Sequence, residues 1–216
     1  MTAASHVFAV ARVASCLIAL ALYGCSIGPA ETTSPHTYLL NPEISVKEIS
    51  RNTARGGPGT LLINAPKAQP GFETARMAYL LRPFELSYYA FNQWADAPGR
   101  MMLPLLTHAM EASGLWRAVM QAPSVVRADY RLDCDNLVLE QQFFSRSQVR
   151  LALRAQLIDV KRQSVIGMRD FEIFAASPSA DAYGGVLAAN EASAKLLDQM
   201  TTWMRTVMEE ETVGGR

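Results

Sequence analysis

Three cysteines, three histidines and one close pair of aspartates are the groups through which this chain could do chemistry. Cys134 lies in Tyr130-Arg131-Leu132-Asp133-Cys134-Asp135, on an alternating apolar pattern. No histidine or adjacent base is there to lower its pKa, so it reads as a small buried hydrophobe rather than a nucleophile. Asp133 and Asp135 could act as a general acid–base pair only if burial separated their pKa values. On a strand they read as part of a solvated face. His36 falls in a polar segment and His108 on the polar side of a helix. Neither has a partner at the spacing of a zinc motif such as H-E-x-x-H, and no nucleophile elbow, P-loop or G-x-G-x-x-G occurs. The sequence therefore predicts a non-enzyme: no catalytic residue, no cofactor site and no metal ligand.

The remaining thiol, Cys25, is different because of what precedes it. Met1 to Arg12 carries one basic residue and no acid, and Val13–Tyr23 is apolar. That run is shorter than the roughly 20 residues a bilayer span requires, and it fits the h-region of a signal peptide. It closes on Leu22-Tyr23-Gly24-Cys25, followed by polar, proline-containing chain. Leu, a spacer, Gly and Cys resemble the bacterial lipobox, although Tyr23 stands where a small residue is usual. In that chemistry the Cys25 thiol takes a diacylglycerol, cleavage exposes its amine, and the amine is acylated. One chain anchors only marginally, at about 0.8 kcal/mol per buried methylene, but three on one residue hold firmly. The alternative is ordinary cleavage, with Cys25 an incidental thiol. Ser26 follows the cysteine where inner-membrane lipoproteins commonly carry Asp. The expected location is therefore the outer membrane, lipid-anchored, on the periplasmic side.

Composition narrows the function further. Removing residues 1–24 takes away Arg12 and no acid, so 19 basic residues face 20 acidic ones, a net charge of −1. Nothing in that balance supplies the basic face that nucleic acid requires. The expected organisation is a signal peptide over 1–24, a lipidated flexible tether over 25–37, one domain over 38–210 and a flexible tail over 211–216. Cys134 alone remains in that domain, so no internal disulfide is possible.

The elements that would position a functional surface follow from periodicity. Tyr38–Leu40 is a short strand stopped by Pro42, and residues 50–59 form a glycine-rich loop. Thr60–Ala65 is a buried strand. Arg76–Leu81 and Glu85–Phe91 flank Arg82-Pro83 as a hairpin or two edge segments. Residues 96–113 read as a helix, with Asp96 as its cap. Pro104 conflicts with a start at Pro98, and the sequence does not decide between a kink and a later start. Alternation over residues 130–139 breaks near Asp135-Asn136, which signals a bulge. Val149–Leu157 and Val165–Phe174 continue as strands joined by short polar turns, and Asp181–Met208 carries a long helical stripe through Tyr183, Leu187, Asn190, Ala194, Leu197, Thr201 and Met204. The expected fold is α+β: an antiparallel sheet with two helices packed on one face, preceded by the signal peptide and tether.

Two apolar features stand out as candidate contact surfaces. Tyr88-Tyr89-Ala90-Phe91 with Trp94 is the first, with core packing as its plainer reading. The second is Phe143-Phe144-Ser145-Arg146 at a hairpin turn. Adjacent strand residues face opposite sides, so one phenylalanine points inward and the other is left for a partner. Phe143, Phe144 and Arg146 are the expected partner contacts.

Taken in order, several segments resemble the ABC-type transport auxiliary lipoprotein family. They are the lipobox, Tyr38-Leu39-Leu40, Arg76, Leu86-Ser87-Tyr88-Tyr89, Trp94-Ala95-Asp96-Ala97-Pro98, Leu105-Leu106, Glu111-Ala112-Ser113-Gly114, Asp129-Tyr130-Arg131-Leu132 and the last helix with Trp203. That family includes the lipoprotein of the paraquat-inducible intermembrane transport system, and the resemblance covers nearly all of the chain after Cys25. It implies a non-enzymatic periplasmic component of a lipid or organic-solvent transport system. An inner-membrane ABC permease and ATPase would supply energy, and a mammalian-cell-entry (MCE) domain protein would form the conduit. The lipoprotein would receive that conduit at the outer membrane, as a homo-oligomeric ring of copies. The competing expectation is a structural or assembly-factor lipoprotein of another envelope complex that handles no lipid.

Overall fold

A computed structural model describes residues 34–43, 57 and 59–214. The signal peptide, Cys25 and most of the proposed tether and glycine-rich loop lie outside the described residues. Among the described residues, eight strands and two helices follow in the order β1 (His36–Tyr38), β2 (Thr60–Ile63), β3 (Arg76–Leu80), β4 (Leu86–Trp94), α1 (Pro98–Ala112), β5 (Ala118–Gln121), β6 (Tyr130–Gln142), β7 (Gln148–Asp159), β8 (Ser164–Ala176) and α2 (Ala182–Gly214). His36 therefore opens a strand instead of lying in a tether.

The α+β class stands, but the antiparallel sheet does not. The eight strands form one mixed sheet in which four of seven ladders are parallel: β1 with β4, β2 with β5, β2 with β6, and β3 with β6. The antiparallel part is the β3–β4 hairpin and the β6–β7–β8 meander. The cause is the length of β6. Its 13 residues offer one edge long enough for two short strands. β2 takes the first half through Leu61↔Tyr130, and β3 takes the second through Ala78↔Glu140. Neither is a sequence neighbour of β6, so both can run parallel to it.

In the meander, side-chain alternation does what the pleat requires. Val149, Leu151, Leu153, Ala155 and Leu157 of β7 are buried, and the residues between them are half-buried. The expected bulge is present: the β6–β7 register shifts between Asp135 and Val138, and Asn136 takes φ 55°.

Helix α2 covers β7 and β8 on one face of the sheet. Four alanines among residues 188–194 favour helix, and Asp181 caps it by accepting a 2.7 Å bond from the Gly184 N–H. Its buried stripe runs through Val186, Ala189, Ala192, Leu196, Leu197, Met200, Trp203, Met204 and Val207. Trp203 meets the Phe171 ring edge-on at 5.8 Å. The expected stripe was wrong at its start, because Tyr183 and Leu187 are exposed. Truncating Leu196 or Met200 to alanine would cost about 2–5 kcal/mol, the range for fully buried side chains of this size.

Helix α1 begins at Pro98 and retains Pro104 inside it, at an exposed position. Met102, Leu106, Ala109 and Met110 form its buried side. Asp96 does not cap this helix; it accepts bonds from the Ala97 N–H and the Arg100 guanidinium. Gly99 is required by close approach, since a Cβ there would lie 2.2 Å from the Pro66 carbonyl oxygen. No helix among the described residues is long and apolar enough to cross a membrane.

Candidate functional site

The two hairpin turns that follow β3 and β6 emerge side by side. The parallel register Leu80↔Gln142 fixes this, and the Phe143 N–H donates to the Leu80 carbonyl at 3.0 Å. Phe143 is half-buried, its ring edge-on to Tyr79 at 6.1 Å. Phe144 is 45 % exposed. The pair thus divides as strand geometry demands, one ring inward and one outward. Arg146 is exposed and pairs with no carboxylate among the described residues; its Nε lies 3.4 Å from Gln148 Oε1.

The neighbouring β3–β4 turn adds apolar surface that the sequence reading missed. Phe84 is fully exposed, and Leu81 and Leu86 are exposed beside it. Phe84 also holds φ +68°, a left-handed conformation that costs a non-glycine residue roughly 1–2 kcal/mol. The turn is closed by a Glu85 N–H to Arg82 carbonyl bond and an Arg82–Glu85 ion pair at 2.5 Å. The available signal was Arg82-Pro83-Phe84-Glu85 itself, a turn with proline at its second position, which leaves the third side chain outside. One end of the sheet therefore carries Leu81, Phe84, Leu86 and Phe144.

Gln141 holds this end together from below. It is buried, and its amide reaches four residues. Its oxygen accepts from the Tyr89 hydroxyl at 3.0 Å. Its Nε2 donates to Ser147 Oγ at 2.8 Å and to the Asp181 carbonyl at 3.0 Å. Ser177 Oγ lies 3.5 Å away. So β4, the β6–β7 turn and the start of α2 are fixed to one side chain. Gly185 makes room for it, since a Cβ there would lie 2.2 Å from Gln141 Oε1. Burial first, then the charges of Tyr79 and Asp181, push the Tyr89 hydroxyl up to about 12, so it stays a neutral donor. The Gly184 N–H and then Ser179 hold the Asp181 carboxyl below its usual value.

The other expected chemical groups are not brought together. Cys134 is buried, and burial, followed by the charges of Asp133 and Asp135, pushes its thiol up to about 12. His108 is exposed on α1. Asp133 and Asp135 are half-buried instead of solvated. Asp133 accepts from Asn64 Nδ2 at 2.6 Å and pairs with Arg131 at 3.0 Å, while Asp135 accepts from Gln156. They belong to a ladder of charges across β6, β7 and β8 that includes Arg154–Asp170 and Arg150 between Glu140 and Glu172. No cluster of metal-binding side chains occurs among the described residues. The aromatic segment on β4 splits: Trp94 enters the core, Tyr88 and Tyr89 are half-buried, and Phe91 is exposed.

Residues 38–201, well over half of the chain, match the family described as the ABC-type transport auxiliary lipoprotein component. No curated protein matches. Among solved structures, the fold is similar to a crystal structure of a DUF330 protein from Xanthomonas campestris. The TM-score is 0.70 at 22 % identity, covering 82 % of this chain and 98 % of that one. A second crystal structure, of an uncharacterized protein, aligns with a TM-score of 0.56 at 12 % identity, covering 78 % and 97 %. A more distant likeness is to the dodecamer of the L103M variant of PelC from Paraburkholderia phytofirmans. There the TM-score is 0.42 at 16 % identity, covering 66 % and 89 %.

Proposed function

We propose that this chain, which belongs to the family of ABC-type transport auxiliary lipoprotein components, is the non-enzymatic periplasmic subunit of an intermembrane lipid or organic-solvent transport system. In this reading it docks an MCE-domain conduit at the outer membrane. Cys25 carries the acyl chains that hold it there, and several copies gather around the conduit as a ring. An inner-membrane ABC permease and ATPase supply the energy.

The observation that carries this reading is the apolar end of the sheet. A fully exposed phenylalanine in a strained conformation, beside a second exposed phenylalanine, gives the folded monomer no visible benefit. Burying both rings in a partner would repay the strain and supply the apolar contact that a net charge near zero cannot replace. Phe144 and Phe84 are the anchors, Phe143 fixes the turn, and Arg146 sits at the rim. In this reading the buried Cys134 thiol serves as part of the core.

The test is isolation of the tagged full chain from membranes in mild detergent. Intact mass should show residues 25–216 plus acyl mass, and the MCE-domain protein should co-isolate. Replacing Phe84 and Phe144 together by alanine should remove the MCE protein while leaving the acyl mass. Unmodified soluble protein would defeat the anchoring step. Recovery of a peptidoglycan or outer-membrane assembly factor in place of the MCE protein would favour the structural lipoprotein reading.

A further inference from the structure

Met77 of β3 is buried and its neighbour Arg76 is exposed, at an irregularity in the β3–β4 pairing. There a cavity of about 350 Å³ opens beside β4, lined by Arg76, Tyr88, Asn92 and Gln93, with Pro35 at its wall. The Arg76 guanidinium carbon lies 3.6 Å from the centroid of the Tyr88 ring. That ring is itself fixed, because the Tyr88 hydroxyl donates to the Gly71 carbonyl at 2.8 Å.

The lining is one-sided in charge. Arg76 pairs with no carboxylate among the described residues, a state it shares with Arg127, Arg146, Arg169 and Arg205, but it is the one of these stacked on a tyrosine ring. No carboxylate among the described residues lines the cavity. Asn92 spends its oxygen accepting from the Tyr38 hydroxyl at 3.0 Å, which leaves its amide N–H groups as donors. A stacked guanidinium keeps its in-plane N–H fork free for an oxyanion, and the ring restrains the side chain before any ligand arrives. Gln93 donates its Nε2 to Thr37 at 3.3 Å, so the cavity also holds a neutral amide oxygen, but an arginine fork with an amide donor and no facing carboxylate among the described residues still suits phosphate.

We propose that this cavity binds the phosphate of a phospholipid headgroup, with Arg76 as the clamp, Tyr88 as the platform and Asn92 as a second donor. A free phosphate ion offers the same oxygens, but the site has the volume of a small-molecule pocket and walls of Tyr88, Ala90 and Pro35 that an ion would not use. The lipid source rests on the anchoring proposed above. Pro35 follows Cys25 by ten residues, at most about 36 Å of extended chain, so the cavity would stay within reach of the membrane surface.

The experiment is isothermal titration of the detergent-solubilised full chain with glycerophosphoglycerol, the deacylated headgroup of phosphatidylglycerol, and separately with inorganic phosphate. The headgroup should bind at least about tenfold more tightly than inorganic phosphate. Arg76→Gln should weaken it by about tenfold or more, the loss expected for a charged hydrogen bond, with unchanged thermal unfolding because the side chain is exposed. Asn92→Asp, which keeps the acceptor for Tyr38 but adds a negative charge, should weaken it similarly. Absence of binding, equal affinity in Arg76→Gln, or inorganic phosphate binding as tightly as the headgroup would overturn the proposal. Headgroup binding by a chain that proves unacylated would leave this site standing and the anchoring reading refuted. Loss of headgroup binding in a chain that still co-isolates its conduit would do the reverse.

Discussion

Phe144→Ala separates a docking residue from a core residue by magnitude. Full burial of a phenylalanine contributes about 1.5–3 kcal/mol. Phe144 is 45 % exposed, so roughly half of that, about 1 kcal/mol, is at stake in the isolated domain. In a domain of 150–250 residues each kcal/mol moves Tm by about 2–4 °C, so the expected drop is about 2–4 °C. Phe171, 3 % exposed and packed on Trp203, is the comparison. Phe171→Ala should cost about 3–5 kcal/mol, a drop of roughly 6–20 °C. Association should respond in the opposite order. A truncated anchor costs 2 kcal/mol or more, about a 30-fold rise in Kd. The assay pairs thermal unfolding with thermophoresis of the full chain against purified MCE-domain conduit. A fall of about 10 °C for Phe144→Ala, or an unchanged Kd, would refute the reasoning.

Three further outcomes follow from the same end of the sheet. Phe84→Gly should leave Tm unchanged or raised, because the relief of positive φ offsets the added unfolded-state entropy; a marked fall would mean that the Phe84 ring packs against the fold. Gln141→Leu should cost about 2 kcal/mol, roughly 4–8 °C, by stranding the Tyr89 hydroxyl, the Asp181 carbonyl and Ser147, and a wild-type melting curve would refute the hub. The Asp181 carboxyl is held below its ordinary 3.8, first by the Gly184 N–H, so its cap is complete above pH 3.8 and is lost as pH falls through the lowered folded value. Helicity by circular dichroism should therefore show an acid-side decline that Asp181→Asn, which caps without ionising, removes; an identical decline in that variant would assign it to other groups.

Much of the second half was legible because its signals are local. The strict alternation of β7, the bulge at Asp135-Asn136 and the buried Leu197–Met204 stripe of α2 each arise from one segment facing one surface. The parallel ladders were not legible. β2 and β5 have four residues each, too few for a period, and their partners are set by the shared edge of β6 rather than by a neighbouring hairpin. Asp96 failed as a cap because its carboxylate turned to Arg100, a competition that spacing alone does not resolve. At the candidate site, Phe143 and Phe144 divided as alternation requires. Phe84 escaped notice because its exposure comes from a turn conformation that its residue type disfavours. Arg76 was visible only as a residue in sequence; its ring partner and its lack of a carboxylate are properties of the folded sheet.

The proposed docking of a transport conduit at the apolar end is open to a direct test. A photo-crosslinking amino acid placed at Phe84, and as a control at exposed Val165 of β8, tests it inside the cell envelope. The account predicts that Phe84 yields a covalent adduct with the MCE-domain protein, and that Val165 does not. Equal crosslinking from both positions, or adducts from Phe84 that contain an envelope assembly factor and no MCE-domain protein, would contradict it.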